Sequence, residues 1–575
     1  MRHGATILAY CLSAFLAFAS GNVTAAGVRE RIYVQTDKQT YLPGEMLWFK
    51  AYLTGADGRP VSFSKTGYVE LYDGDSPVVQ AKIELSGGTG HGRMQLPVTL
   101  RTGYYFLTAY TRNMRNEGEA VFFHKTLSVI NPFYVDKTIG IDSIPLPSPQ
   151  PLPLQSPPPQ PPAEAVTTVS LSLPFYPVRS EGEILIQGLP SGTHSLSLSV
   201  SGEDMAPLYG YTDIREWHKQ LSLLPQTLMR ADFLPEYEGH IVTGRLTDAA
   251  TGNPPAERIL PFLAFHGRGI RLFGGQVKEG GEVIFYTKGI TGASLAATVA
   301  VPAGVTERSY RIDLQTPFVP VAHAATPPFR LDPSRGDELL RRSIAVQAMS
   351  IYTPYAESAA GDSGSFVRPP DRTYFLDEYT RFATMEEVVG EYVLGLAIRR
   401  ERGRRYMSVM REDRIGRTLA GSSVNTLVLL DGIPVTDHDF ICDYDPLQIS
   451  RIDIYRGIYF FGGNHFDGIA FFTTYGNKYP DGLKNNGTHH AAIYEGPLPR
   501  LPFHSPSYPD EDARKNPAPD FRHTLLWMPE VGIDGGTSVA IPFSTSDYCG
   551  RFRVIVEGIS AEGLPIHATA TFDVK

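Results

Sequence analysis

The 575-residue sequence is short of several things, and each shortage narrows what the chain does. It has three cysteines, too few for a disulfide-stapled scaffold. Positive charge is sparse: the formal net charge is -9 and no long basic run occurs. A surface that tracks phosphates needs clustered Lys and Arg, so nucleic-acid binding is excluded as a leading function. The densest basic stretch, Arg399 to Arg405, is expected to be a solvated turn between a helix and a strand. Long apolar runs are also missing. The single candidate, Ile7 to Phe18, is shorter than the ~20 residues a membrane-spanning helix requires.

That run has a different reading. Arg2 and His3 precede it, and Ala17-Phe18-Ala19 and Val23-Thr24-Ala25 both offer a small-x-small cleavage site. Residues 1–26 are therefore expected to be an export signal, with the mature chain starting between Ser20 and Gly27 and holding no transmembrane helix. Cys11 leaves with the signal. The remaining pair, Cys442 and Cys549, would meet an oxidising compartment, which allows a bridge; two buried free thiols are the alternative.

Signatures of catalysis are missing too. There is no His-Glu-x-x-His, phosphate loop or Gly-x-Ser-x-Gly, and no cofactor motif. Asp437-His438-Asp439 and His489-His490 are the only tempting metal clusters, and both read as solvated turn residues. The expectation is a protein that is not an enzyme, with no catalytic, metal or cofactor residues.

What is present is β pattern. Residues 27–135 carry short aromatic and β-branched runs, such as Tyr68 to Tyr72 and Tyr104 to Leu107, between Gly, Pro and Asp turns. Within them, Thr36-Asp37-Lys38-Gln39-Thr40-Tyr41-Leu42-Pro43-Gly44-Glu45 resembles the opening motif of the second macroglobulin domain in the α2-macroglobulin family. The resemblance covers about 100 residues and implies a β-sandwich, not a function. The protease-trapping thioester of that family needs Gly-Cys-Gly-Glu-Gln, which neither Cys442 nor Cys549 sits in.

Residues 136–164 are proline-rich and are expected to be an extended, semi-stiff linker between independently folded halves. Alternation returns in Val169 to Leu173 and Leu196 to Val200, predicting a second sandwich over 165–232. Residues 233–320, opening at Gly239 to Asp248, are similar to a carboxypeptidase-regulatory-like β domain, a module without catalytic residues of its own. Residues 321–379 are expected to be helix and loop, including a helix from Asp337 to Met349 that buries Leu339, Leu340, Ile344 and Val346.

Residues 380–480 resemble the plug domain of TonB-dependent outer-membrane receptors. Asp431, Gly432, Pro434, Ile449, Ile452, Ile454, Gly457, Gly468, Ile469 and Thr474 stand at the motif positions. Leu427, Leu429, Ile452, Ile454, Ile469 and Phe471 are the expected core. Asp431 and Gly432 are expected in an exposed turn that, with Arg456, contacts a partner. Only 99 residues follow Gly476, too few for the ~22 strands of a plugged barrel, so transport by this chain alone is not expected. Residues 481–518 read as a linker and 519–575 as a β segment.

The fold class that emerges is mainly β: serial immunoglobulin/macroglobulin-like β-sandwiches, then a small α+β plug-like domain and a β tail. The order resembles exported proteins of Bacteroidetes-type bacteria. The function expected is a non-catalytic cell-envelope binding or scaffold protein, periplasmic or associated with the outer membrane. Its partner would be an envelope protein, peptide or glycan. The alternatives are an accessory part of a TonB-dependent uptake complex, meeting a separate outer-membrane barrel, and an enzyme of unfamiliar type.

Overall fold

The computed structural model describes residues 28–133, 167–204, 209–210, 212–225, 230–302, 308–331, 335–352, 368–401, 403–410, 425–483, 488–533 and 536–575. The export signal and the proline-rich linker lie outside them. The architecture is mainly β, in sandwich-like sheets with a small α+β region and, among the described residues, no closed barrel.

The first sandwich packs a three-stranded sheet (Glu30–Thr36, Met46–Gly55, Thr89–Gln95) on a five-stranded one (Thr40–Tyr41, Phe123–Val129, Gly103–Thr111, Thr66–Asp73, Ser76–Glu84). Its core is unusually aromatic, with Tyr33, Tyr41, Phe49, Tyr52, Tyr68 and Tyr110 all buried. Buried tyrosines need partners for their hydroxyls. Several find them on other segments: the Tyr33 hydroxyl donates to Glu557 at 2.8 Å, and Tyr68 to Glu236 at 3.0 Å.

The second sandwich is split in sequence. Thr193–Gly202 lies between Gly550–Ser560 and Thr524–Met528 in one sheet, and Glu181–Gln187 pairs with Ser538–Ser544 in the other. Residues 165–232, expected as a sandwich of their own, and 519–575, expected as an incomplete one that pairs with earlier strands or lies against the 380–480 unit, are thus two halves of one domain. Neither half alone supplies enough strands to cover its apolar face.

Nor are the two sandwiches independent. Trp217, Leu221 and Ile559 sit in the core of the first, and Lys50 donates to Ser195 at 2.6 Å. Whatever the chain does between residues 134 and 166, its flanks fold against each other.

A seven-stranded antiparallel sheet follows (Tyr310–Leu314, Ile241–Asp248, Glu282–Tyr286, Leu272–Val277, Ile259–Phe265, Ala293–Pro302, His489–Glu495). Its last strand comes from the stretch expected to be a linker. One face holds its own core around Leu263, Phe265, Phe285 and Ile312. The other packs through Phe262, Ala264 and Val299 on the small α+β unit, the one expected to be plug-like.

That unit is a five-stranded mixed sheet in which Leu427–Leu430 runs parallel to Asn464–Thr474, which pairs in turn with Ile449–Phe461. Leu427, Leu429, Ile452, Ile454, Ile469 and Phe471 are all buried. The helix Met385–Tyr392 covers them, its start fixed by a capping box between Thr384 and Glu387. Arg399 to Arg405 is a β-hairpin (Leu396–Glu401 with Arg404–Val409), not a helix-to-strand turn, and its Arg405 is held by Asp439 and Asp443. No helix among the described residues is long and apolar enough to cross a membrane.

Candidate functional site: the junction cavity

The macroglobulin-like motif builds more than a turn. Pro43-Gly44 reverses the chain with Gly44 at φ 83°, a conformation Gly adopts without strain. Asp37 then becomes a hub: its carboxylate accepts from Tyr41 at 2.7 Å, from the Trp48 N–H at 3.1 Å and from Thr524 of the split sandwich at 2.7 Å. Lys38 lies between Asp37 (3.3 Å) and Glu45 (3.5 Å).

Glu45 is the second hub. Its Oε2 caps the turn through the Leu42 N–H at 3.1 Å. The same carboxylate receives Arg342 side-on, from Nε at 3.0 Å and Nη2 at 2.9 Å, and Nη2 also donates to the Thr40 carbonyl at 2.6 Å. Burial would raise the Glu45 carboxyl, but Arg342 and Lys38 together hold it below its ordinary value. Arg342, on the helix Gly336–Tyr352, is fully buried.

The expected face is half right: Leu339 and Val346 pack against Leu42, Ile130 and Phe329, but Leu340 and Ile344 do not turn inward. Arg342, Ser343 and Ala345 are buried, whereas Leu340 and Ile344 are 59% and 54% exposed. The salt bridge of Arg342 with Glu45 and the packing of Leu339 and Val346 lie on the docked side of the helix together.

Together the first sandwich, the split sandwich and this helix enclose a half-open cavity of about 300 Å³. Met46, Trp48, Val346, Phe503 and Phe521 give it apolar walls, and Lys38, Glu45, Arg342, Arg522 and His523 its polar ones. Arg522 is committed to Asp520 by two 2.7 Å contacts. Two buried groups keep unspent atoms: Nη1 of Arg342 and Nδ1 of His523 have no hydrogen-bond partner. Burial, with Arg342 and Lys38 close by, pushes the His523 imidazole well below its ordinary range, so it is neutral. Sequence reasoning missed this site, although the Lys38 and Glu45 motif that floors it was visible.

The residues expected to meet a partner lie elsewhere. Asp431 is fully buried, not exposed: its carboxylate accepts from the Thr474 N–H at 2.8 Å and hydroxyl at 2.6 Å. Gly432 is covered by the 265–269 segment, where a Cβ would come within 2.7 Å of the Phe265 carbonyl. This turn is closed to an outside partner because the seven-stranded sheet docks over it. Arg456 is half-buried, its N–H donating to Asp371 at 2.7 Å. Cys442 and Cys549 are both free; Cys442 is buried beneath the plug-like sheet and Cys549 is exposed, which corrects both the bridge and the buried pair.

The two tempting metal clusters also resolve otherwise. Asp437 caps the helix His438–Cys442, Asp439 pairs with Arg405, and His438 Nδ1 accepts from the Met407 N–H at 3.0 Å. His489 donates to the Pro434 carbonyl at 2.7 Å. Among the described residues, no group of three or more His, Cys, Asp or Glu side chains is placed to hold a metal.

A second cleft of about 760 Å³ lies between the first sandwich and the seven-stranded sheet. A relay-like chain runs beneath it: His240 Nδ1 donates to Glu236 at 2.8 Å and its Nε2 meets the Tyr494 hydroxyl at 2.5 Å. The three side chains satisfy one another and are buried, which is the arrangement of a structural network.

No family model matches the chain, and no curated protein matches it. Among solved structures it is similar to Escherichia coli alpha-2-macroglobulin activated by porcine elastase, at 11% identity and a TM-score of 0.23 over 95% of this chain and 43% of that one. Salmonella alpha-2-macroglobulin reacted with methylamine gives 11% and 0.23, over 96% and 40%. FdeC, an Escherichia coli adhesin, gives 13% and 0.13, over 48% and 93%. The chain thus spans less than half the length of the macroglobulins. Likenesses this remote are too weak to carry an inference about ligand or activity.

Proposed function

We propose that the protein is a non-catalytic cell-envelope binding and scaffold protein, exported to the periplasm or the outer-membrane surface. Its ligand, a small molecule or the end of a peptide or glycan, enters the junction cavity. The observation that supports this is that three separate chain segments converge there around buried charge and leave an opening. Small-molecule sites favour such domain boundaries, with mostly apolar walls and a few placed polar groups. A ligand binding the native state alone stabilises it by about 2.7 kcal/mol at a hundredfold excess over Kd. Thermal unfolding against pools of short peptides, oligosaccharides and organic acids tests the reading. Stabilisers should raise the Tm of the wild type and not that of Met46→Trp, whose side chain fills the cavity. Equal shifts in both proteins would place binding elsewhere.

A second reading, an accessory role beside a separate outer-membrane barrel, has its own support. The hairpin of the plug-like unit exposes Ile458 and, at 72%, Phe460. Isolated exposed apolar residues are common, but two on one strand end suit a protein contact. A barrel that copurifies from native membranes with the wild type and is lost with Phe460→Asp supports this role; equal recovery argues against it.

A further inference from the structure

We infer that the second cleft, between the first sandwich and the seven-stranded sheet, binds a neutral saccharide stacked on Tyr237 and Tyr286. This site is separate from the junction cavity.

The first sandwich buries its tyrosines, but two that line this cleft stand open to solvent: Tyr237 is 55% exposed and Tyr286 41%. The Tyr237 ring stacks on Phe63, with centroids 6.3 Å and planes 27° apart, so one of its faces is backed and the other is left for a guest. An aromatic face in water is covered well by the C–H face of a sugar ring, whose hydroxyls then stay at the wet rim.

Buried hydrogen bonds hold both tyrosines from below. Glu236, next to Tyr237, accepts from the Ile241 N–H at 2.8 Å and pairs with His240, and its carbonyl accepts from the Lys65 N–H at 2.8 Å. Thr287, next to Tyr286, donates to the His240 carbonyl from its hydroxyl at 2.7 Å and its N–H at 3.0 Å. The buried network of Glu236, His240 and Tyr494 thus ties the two tyrosine-bearing segments to one point. A satisfied polar network is rigid, and a rigid site loses little freedom when its ligand arrives.

The charges of the cleft favour no ion. Lys65 and Lys288 are matched in number by Glu84 and Glu238. Glu84, Glu238 and Lys288 are exposed, so they can turn to sugar hydroxyls as acceptors and donors. The volume of about 760 Å³ falls within the roughly 300–1,000 Å³ usual for small-molecule sites. It equals roughly 25 waters at about 30 Å³ each, which is room for a disaccharide.

Titration calorimetry on the full chain tests this with cellobiose, maltose and diacetylchitobiose, and with cellobionate as the anionic counterpart of cellobiose. At least one neutral sugar is expected to bind with a Kd of about 1 mM or below. Tyr237→Ala and Tyr286→Ala should each weaken it about tenfold at unchanged Tm, because both side chains are exposed. If Tyr286→Ala lowers Tm, Tyr237→Ala decides. Met46→Trp, in the junction cavity, should bind the sugar as the wild type does. The tetrasaccharide of the same sugar separates the sources: tighter binding than the disaccharide marks a glycan chain, equal or weaker binding a free sugar. Undiminished affinity in Tyr237→Ala, or loss of binding in Met46→Trp, would overturn the site. Tighter binding of cellobionate than of cellobiose would overturn the neutral ligand. Triproline also stacks on tyrosine, and its binding more tightly than every disaccharide would overturn the saccharide in favour of a peptide. If no neutral sugar binds at about 10 mM, the inference fails outright while the junction cavity is untouched.

Discussion

The junction between the sandwiches and the core of the small α+β unit are equally well buried but held together by different chemistry. The core of residues 372–474 is mostly apolar: Leu429, Ile452, Ile454, Ile469, Phe471 and Phe472 are buried, with Asp431 and Asp453 the carboxylates buried in its sheet. The junction buries Asp37, Lys38, Glu45 and Arg342 and closes by hydrogen bonds between segments about 300 to 490 residues apart. An apolar core tolerates a change of shape at graded cost. A buried charge network does not, because removing one member strands the others. The junction is thus the more brittle region, although its gain in stability over an apolar replacement is small.

The largest expected effect tests that brittleness. Arg342→Met leaves Glu45 buried and partly unpaired, and should cost about 3–5 kcal/mol by denaturant unfolding. Adding Glu45→Gln should recover much of the loss, whereas additive losses would show that the charges are not coupled. Next comes Ile452→Ala, expected to cost about 2–5 kcal/mol by the same measurement. If that change is silent, the plug-like core is not built as described.

A pH effect distinguishes the regions further. His438, whose Nδ1 accepts from Met407, is pushed down by burial from its ordinary 6.5 to about 4. Its folded value is depressed, so the neutral form belongs to the native state, and its contribution is lost as pH falls from about 6.5 through 4. The loss is at most about 3.5 kcal/mol, at about 1.4 per pH unit. His438→Asn, which keeps an acceptor without titrating, should flatten the dependence of Tm on pH across that window. The smallest effect belongs to Asp431. At φ 46° an Asn fits as well as Asp and retains an acceptor for the Thr474 N–H, so Asp431→Asn should cost about 1 kcal/mol. Asp431→Ala, without that acceptor and with the same φ, should cost more, and equal melting temperatures would refute the contact.

Much of the plug-like unit was legible because its strands alternate, so Leu427/Leu429, Ile452/Ile454 and Ile469/Phe471 declare one face each. The turn at Asp431 was legible as a turn, but its burial was not, since that depends on the 265–269 segment, about 160 residues earlier in sequence. Arg342 was hidden for the opposite reason: Leu340 and Ile344 form an apolar stripe that the helix leaves exposed. Hydrophobic pattern reports which face a helix would bury against an apolar surface, and here the surface offered combines the apolar Leu42, Ile130 and Phe329 with the charged Glu45. The pairing of Thr193–Gly202 with Gly550–Ser560 is not written in either strand, because alternation carries no address for the partner.

That split pairing also sets a timetable. Strand Thr193–Gly202 leaves the ribosome about 320 residues before Thr524–Met528, its neighbour on one side. At roughly 5–20 residues per second, the wait is on the order of 15 to 65 s. Through that interval its Leu-Ser-Leu-Ser-Val alternation presents an unpaired edge, ready to accept any passing strand. The domain is finished only when its last strands arrive, so nascent chains stalled in the plug-like region would carry a sticky, half-built sandwich. Such chains should be the main clients of a holding chaperone, and the sandwich the last part of the molecule to resist protease.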